Sequence, residues 1–455
     1  MRNVRAAVCV ACGAEHEAGN DTYTCKKCGG VLEIVYDYDY IKSRVNAEKI
    51  AARGEFSIWR YLEFLPVEED SKLGPLRVGW SPLYRTEKLG EALGIPNLYV
   101  KDDGINPTSS LKDRASAIAV VRAARAGRDT VACSSTGNAA SSLAGGAAAM
   151  GLKSFIFVPG RAPQGKLTQL LIFGAVVISV RGNYEDTFKL SAEAIEKYGW
   201  YNRNAAINPY LSEGKKTVSF EIAEQLGGLL RAGGGGRGAA VSAGGFAAPD
   251  YVAISVGDGC TIAGLWKGFK DLYATGFIDR LPRLVSVQAS GCCPVNRAVE
   301  TGRPIERMEE NTLADSIAVG VPRNGAKALA AIRESGGITV NVSDDEILAA
   351  MRLLGKNAGV FGEPAGVTGT AGLKKAAEQN LIPAGAVVVS VVTGNGLKDV
   401  ASAQRAAGIE PSGAEGAADS AGAGAAGSPA LLRIAPEMKL LEEEFARRGL
   451  RTQTP

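Results

Sequence analysis

Lys112 lies in Asn106-Pro107-Thr108-Ser109-Ser110-Leu111-Lys112-Asp113-Arg114, a turn-rich loop that opens onto an Ala-rich helical stretch, Ala115 to Ala124. A lysine at a helix entrance is partly desolvated, which penalises its charged form, lowers its pKa and frees its amine to form an imine with a carbonyl carbon. The competing reading, a surface lysine after a loop, is set aside by the rest of the chain. A second chemistry is written in Cys9-x2-Cys12 and, twelve residues on, Cys25-x2-Cys28. Two tight pairs of soft thiolates suit a tetrahedral Zn²⁺, and four protein ligands leave no open position, so such a metal is structural. Disulfides compete for the same cysteines but are disfavoured in a cytosolic setting. His16, between the pairs, is the only histidine, which excludes Ser-His-Asp and Cys-His catalysis by inventory. Cys133, Cys260, Cys292 and Cys293 lack metal-type spacing; Cys133 and Cys260 read as small buried hydrophobes at strand ends.

Three loops carry further candidates. Cys133-Ser134-Ser135-Thr136-Gly137-Asn138 ends a strand and starts a helix, where hydroxyls and backbone N–H groups suit a carboxylate or phosphate. Val256-Gly257-Asp258-Gly259-Cys260-Thr261 joins a buried strand to a helix, with glycines where a phosphate can approach the backbone. It matches neither the dinucleotide fingerprint nor the nucleotide P-loop. Val392-Thr393-Gly394-Asn395-Gly396-Leu397-Lys398-Asp399 ends the most hydrophobic strand with a hydroxyl at its tip, and ligands of open α/β sheets collect at such carboxyl ends.

The elements that must position these loops are legible from hydrophobic pattern. Near-continuous apolar runs at Leu98–Lys101, Thr130–Ser134, Ser154–Val158, Val176–Val180, Val252–Val256, Leu284–Ala289, Ile338–Val342 and Ala386–Val392 predict strands covered on both faces. Ala/Leu-rich helical stretches between them predict parallel α/β layers. Ser343-Asp344-Asp345-Glu346 reads as a capping box. Gly227 to Ala248 reads as a surface insertion, the Gly/Ala/Ser/Pro stretch from about 408 to 429 as a flexible linker, and Pro436 to Arg448 as an amphipathic helix. At 455 residues the chain can bury more than one core. A net charge of +3 without a basic stripe argues against nucleic acid. The absence of a signal-like stretch and of a membrane-length apolar run predicts a cytoplasmic protein that does not engage a membrane.

Asn-Pro-Thr-Ser-Ser-Leu-Lys-Asp-Arg, Ser-Thr-Gly-Asn, Gly-Asp-Gly-Cys-Thr, Phe361-Gly362-Glu363-Pro364-Ala365 and Thr-Gly-Asn-Gly-Leu-Lys-Asp, in this order, resemble the fold-type II pyridoxal-phosphate enzymes, and within them the threonine synthase group, over roughly residues 5–400. The resemblance implies a tryptophan synthase β-like α/β fold with two open parallel-sheet domains behind a small zinc ribbon: residues 1–45 the ribbon, 46–115 and 210–400 the larger domain, 116–209 the smaller inserted one, 401–455 the linker and terminal helix. It implies pyridoxal 5′-phosphate as cofactor beside a structural Zn, a homodimer, and an amino-acid phosphate ester as substrate. Lys112 is then the lysine that binds the cofactor covalently, Asn138 the partner of its 3′-oxygen and Thr393 the residue facing its pyridine nitrogen. Gly257, Asp258, Gly259, Cys260 and Thr261 would cradle its phosphate, and Ser135, Thr136 and Gly137 would receive the substrate carboxylate. The implied reaction is conversion of O-phosphohomoserine and water to threonine and phosphate.

The sequence also departs from the pattern. Ala139 and Leu111 stand where the group often has Thr and Phe, and Ala205-Ala206 removes hydroxyls near the expected leaving-group site. Arg203, Asn204, Lys215 and Lys216 remain as candidates to hold that phosphate, with a solvated face as the plain alternative for the two lysines. The rivals are a cysteate synthase-like enzyme acting on O-phosphoserine, a threonine dehydratase and, from another class, a zinc-ribbon nucleic-acid-binding module.

Overall fold

A computed structural model describes residues 1–135, 137–160, 164–181, 184–205, 207–234, 241, 242, 244–409, 436 and 438–448. In chain order the strands are β1 (Val4–Cys9), β2 (Glu15–His16), β3 (Leu32–Tyr36), β4 (Leu83–Arg85), β5 (Asn97–Asp102), β6 (Thr130–Ser134), β7 (Lys153–Pro159), β8 (Val176–Val180), β9 (Tyr201–Asn202), β10 (Tyr251–Ser255), β11 (Arg283–Ala289), β12 (Ile338–Val342) and β13 (Val387–Val392). They form a three-stranded antiparallel ribbon, β2-β1-β3, a four-stranded parallel sheet, β8-β7-β6-β9, and a six-stranded sheet, β12-β11-β10-β13-β5-β4, parallel except for β4 at its edge.

Central strands with helices on both faces have no wet side, so they dispense with apolar/polar alternation. Every residue of β13 (Val-Val-Val-Ser-Val-Val) and of β10 is buried. Their two polar residues are satisfied locally: Ser255 Oγ accepts from the Gly369 N–H at 3.1 Å, and Ser390 and Thr370 share a hydroxyl pair at 2.9 Å. All eight strands expected from the pattern are present. Of the other five, β3 falls on the strand-like stretch Val31 to Tyr36, while β4 and β9, of three and two residues, and β1 and β2 in the ribbon escaped the pattern. The capping box is formed in both directions, Glu346 N–H to Ser343 Oγ at 3.2 Å and Ser343 N–H to Glu346 Oε2 at 2.6 Å.

Two expectations need correction. The stretch from Gly227 to Ala248 is not simply a surface insertion. The helix Thr217–Leu229 runs through Gly227, which is pressed so closely on Gly245 that an added Cβ would lie 2.0 Å from its carbonyl oxygen, and Phe246, Ala247 and Ala248 are buried. Residues 235–240 and 243 lie outside the described residues. Cys260 does not end a strand; it is the first residue of the helix Cys260–Ala274, though buried as expected. Of the C-terminal region, 410–435 lies outside the described residues, and the helix Met438–Arg448 has Met438 exposed.

The ribbon is fastened to the body by specific polar contacts. Tyr36 Oη donates to Glu213 at 2.8 Å, Tyr38 Oη to Asp271 at 2.7 Å, and Lys327 Nζ to the Leu32 carbonyl at 2.6 Å. Among the described residues no helix is long and apolar enough to cross a membrane.

Candidate active site

In the six-stranded sheet, β10 is followed by β11 and β12 in one direction, while β13 returns on the other side of β10 and pairs with β5. Where strand order reverses like this, the loops on either side diverge and leave a crevice at the carboxyl ends. The loops leaving β5, β10 and β13 are the ones that carry Lys112, Gly257–Thr261 and Thr393. Adjacent strands thus gather residues that are almost 300 positions apart.

The Lys112 and Thr393 loops are stitched together backbone to backbone. Leu111 N–H donates to the Thr393 carbonyl at 2.9 Å, Asn395 N–H to the Ser109 carbonyl at 3.0 Å, and Ser110 bridges Gly394. To make this turn Ser109 adopts φ +67°, left-handed backbone that is uncommon for a residue with a Cβ. Asp113 carboxylate oxygens accept from Thr108 N–H at 2.8 Å and Thr108 Oγ1 at 2.6 Å, closing the loop onto the first turn of the helix Lys112–Arg125. Lys112 is the first residue of that helix.

Beneath it lies a fully buried charge network. Arg114 bonds Asp103 at 2.7 and 2.8 Å and Glu221 at 2.5 and 2.8 Å, and Lys101 Nζ reaches Glu221 at 2.7 Å. Two cations face two anions, so the formal charges cancel. Burial alone would raise the Glu221 pKa, but Arg114 and Lys101 hold it down to about 2.

Toward the cleft the balance is lost. Part of the Lys112 side chain remains open to the cleft, yet protein crowds its amine. That loss of hydration, followed by the like charges of Lys215 and Arg203, pulls its pKa down to about 8. Arg203 is buried, and among the described residues its guanidinium bonds only hydroxyls, Ser116 Oγ at 3.0 Å and Ser142 Oγ at 3.5 Å. Lys215 and Lys216, adjacent in sequence, are both buried, so neither forms a solvated face. Lys216 is ion-paired to Glu213 at 2.7 Å and Asp271 at 2.6 Å. Lys112 and Lys215 have no hydrogen bond or ion pair with any described residue. Burying a charge without a partner costs several kcal/mol, so a cluster of this sign marks an anion site.

The Gly257–Thr261 segment has the shape of a cradle. An added Cβ at Gly257 would lie 2.8 Å from Ile317 Cα, and Gly259 has φ +85° with its Cβ position 2.8 Å from the Asn324 carbonyl. Only glycine fits either place. The helix Cys260–Ala274 opens with no side-chain cap, so its first N–H groups point out of the helix unsatisfied by it. Asp258 Oδ1 accepts from Arg323 N–H at 2.7 Å, which anchors the neighbouring loop, its Oδ2 lies 3.6 Å from Cys260 Sγ, and burial raises its pKa. Thr393 is half-buried, at the end of β13.

The smaller sheet contributes the facing wall. β6 delivers Ser135 and Gly137, with Gly137 N–H donating to Ser135 Oγ at 3.2 Å; Thr136 lies outside the described residues. Asn138 starts the helix Asn138–Met150, and its Nδ2 donates to Glu363 Oε1 at 2.6 Å. Asn204 Oδ1 accepts from Ser134 N–H at 2.8 Å, leaving its Nδ2 buried with no partner among the described residues. Lys398 Nζ crosses between the sheets to Ser141 Oγ at 3.0 Å and Gln169 Oε1 at 2.8 Å.

Sequence reasoning assigned no role to Glu363. This buried carboxylate precedes the helix Pro364–Glu378, accepts from Asn138, and through its own N–H binds the Gly394 carbonyl at 3.0 Å, tying together the two walls. An acid directly before a proline at a helix start was the available signal.

The four ribbon cysteines place their Sγ atoms within 4.8 Å of one another: Cys9–Cys28 at 3.5 Å, Cys12–Cys25 at 3.7 Å and Cys12–Cys28 at 3.5 Å. All are free thiols, and His16 Nε2 lies 3.2 Å from Cys25 Sγ.

Comparison with known proteins agrees with this geometry. The family described as "Pyridoxal-phosphate dependent enzyme" matches residues 75–394. Threonine synthase of Methanocaldococcus jannaschii is 41% identical over 401 residues, 88% of this chain and 94% of its own. Threonine synthase of Methanosarcina acetivorans is 40% identical over 394 residues, 86% of this chain and 91% of its own. Among solved structures, the processed form of threonine deaminase isoform 2 from Solanum lycopersicum superposes with a TM-score of 0.57 at 21% identity, covering 77% of this chain and 92% of that one, which speaks for the shared fold. The chain belongs to the pyridoxal-phosphate-dependent enzymes, in their threonine synthase group.

Proposed function

We propose that this chain converts O-phospho-L-homoserine and water to L-threonine and phosphate, with Lys112 as the attachment point of pyridoxal 5′-phosphate and as the base that moves the substrate's protons. The observation that carries the reading is a crowded, unpaired lysine amine where the loops of β5, β10 and β13 meet. With its pKa near 8, roughly a tenth of the amine is neutral at pH 7, against a few parts in ten thousand for an ordinary lysine. The bound cofactor supplies an electron sink for the carbon that loses its proton.

We assign the remaining roles by the family resemblance together with the contacts above. The Gly257–Thr261 backbone, with Cys260 at the helix start, holds the cofactor phosphate, while Asp258 shapes the loop. Asn138, fixed by Glu363, and Thr393, after β13, would hold the cofactor ring. Ser135, Thr136 and Gly137 receive the substrate carboxylate. Arg203 and the unpartnered Nδ2 of Asn204 hold the phosphate that leaves. Closing the two sheets on the substrate excludes water from competing reactions until the phosphate is gone.

Four sulfurs around a zinc at about 2.3 Å stand roughly 3.8 Å apart in a tetrahedron. The spacings of Cys9, Cys12, Cys25 and Cys28 agree with that, and we assign them a structural zinc.

The test is parallel incubation of the holoenzyme with O-phosphohomoserine, with O-phosphoserine plus sulfite, and with threonine. Threonine and phosphate from the first alone support the reading. Cysteate from the second would make the enzyme a cysteate synthase, and 2-oxobutyrate from the third would make it a dehydratase.

A further inference from the structure

Lys215 ends the short helix Tyr210–Lys215, which is wedged between the two helices whose first turns form the cleft. On one side Gly214 rides on the helix Lys112–Arg125, where an added Cβ would lie 2.1 Å from the Arg114 carbonyl. On the other, a Cβ added at Gly264, one turn into the helix Cys260–Ala274, would lie 3.2 Å from Lys215 Cβ. Close packing on both flanks fixes where the Lys215 stem begins, and the groups that most influence its ammonium are Cys260, Arg203 and Asp258. Two of these three belong to the Gly257–Thr261 cradle.

The contrast with its neighbours is informative. Lys216, Lys101 and Arg114 are as deeply buried, and each has at least one carboxylate within 2.8 Å. Lys215 is 1% exposed and has no partner among the described residues, while an uncapped helix N-terminus opens beside it. A positive helix end and an unpaired ammonium close to it repel each other until an anion comes between them.

We infer that Lys215 is a direct ligand of the cofactor's phosphate, adding a full positive charge to a cradle otherwise made of backbone N–H groups. The inference rests on the pyridoxal-phosphate reading above and sharpens it, because it separates Lys215 from Arg203 and Asn204, which hold the substrate's phosphate.

The experiment compares the apo-forms of the wild type, Lys215→Met and Lys215→Arg, each titrated with pyridoxal phosphate and with pyridoxal, which lacks the phosphate. The visible absorbance of bound cofactor gives each Kd, and thermal melting of the apo-proteins is recorded alongside. Loss of a charge-assisted contact should weaken pyridoxal phosphate binding by roughly 10- to 100-fold in Lys215→Met. Pyridoxal binding should stay within about twofold of wild type, since the contact serves only the phosphate. Lys215→Arg should recover part of the loss. Apo Lys215→Met should melt no lower than the wild type, because methionine fills the space without an unpaired charge.

An unchanged Kd for pyridoxal phosphate in Lys215→Met, with the loss confined to kcat/KM for the phosphate ester, would move Lys215 to the substrate and overturn the inference. Equal weakening for both ligands would overturn it too. Failure of the wild type to bind pyridoxal phosphate at all would instead refute the cofactor reading, a failure visible before any variant is made.

Discussion

At the scale of single residues, function rests on an imbalance of buried charge. Asp103 and Glu221 neutralise Lys101 and Arg114, whereas Lys112, Arg203 and Lys215 have no carboxylate bonded to them among the described residues. The chemistry of Lys112 follows from its pKa direction. Burial and like charges lower it, so the neutral nucleophile accumulates as pH rises through about 8. The rate at which apo-protein captures pyridoxal phosphate should therefore climb with pH, flatten above about 8, and not wait for the ordinary lysine range near 10.4. Stopped-flow absorbance would measure it. Arg203→Met should leave folding intact or slightly improved, since a buried cation bonded only to serines is removed. Its kcat/KM for the phosphate ester should fall roughly 10- to 100-fold, mostly through KM, and inorganic phosphate should inhibit less; steady-state kinetics checks both. That Lys112, Gly257–Thr261 and Thr393 sit on loops at strand ends was legible in the sequence because glycine and hydroxyl types after apolar runs carry their own physical meaning, whereas Asn138 was singled out only by the family resemblance. The distinction between Lys215 and Lys216 was not legible. Successive helical positions point about 100° apart, and only the fold determines which one meets Glu213 and Asp271 and which one meets the cleft.

At the scale of elements, the site depends on rigid entry into the helix Lys112–Arg125. The Ser109 turn, the pairing of Ser110 with Gly394 and the Arg114 network hold its first turn from three sides. Glu221→Gln would leave two buried cations against one carboxylate. It should cost about 3–5 kcal/mol of stability, read from denaturant unfolding, because breaking a buried pair strands its partner. The long strands were readable from sequence since burial on both faces strips them of alternation. β4 and β9 were not, because two or three residues show no period and their pairing is decided by neighbours in the sheet. The Gly227–Ala248 stretch misled for a related reason: composition suggested a loop, but glycine at 227 serves close packing against the Gly245 backbone.

At the scale of the whole molecule, the ribbon's Leu32, Ile34 and Tyr36 belong to the same hydrophobic core as Phe220, Trp266 and Val389, and polar links add to that packing. The ribbon reaches the charge cluster of Glu213, Lys216 and Asp271 through Tyr36 and Tyr38, so it braces the helix that ends in Lys215. If the ribbon holds the zinc proposed above, removing it with a chelator should lower the melting temperature and weaken cofactor binding while leaving the pH dependence of Lys112 in place, since no ribbon residue is among the main influences on that amine. Calorimetry and cofactor titration of chelated protein would check this. The strand-order reversal at β10 and β13 explains why the site lies where it does. Everything proposed for the cleft depends on the bond between cofactor and chain. Borohydride reduction of the holoenzyme, followed by peptide mass spectrometry, tests it most directly. The reduced cofactor is expected on the peptide containing Lys112 and nowhere else; finding the label on Lys215 or any other lysine, or on none, would refute the role given to Lys112.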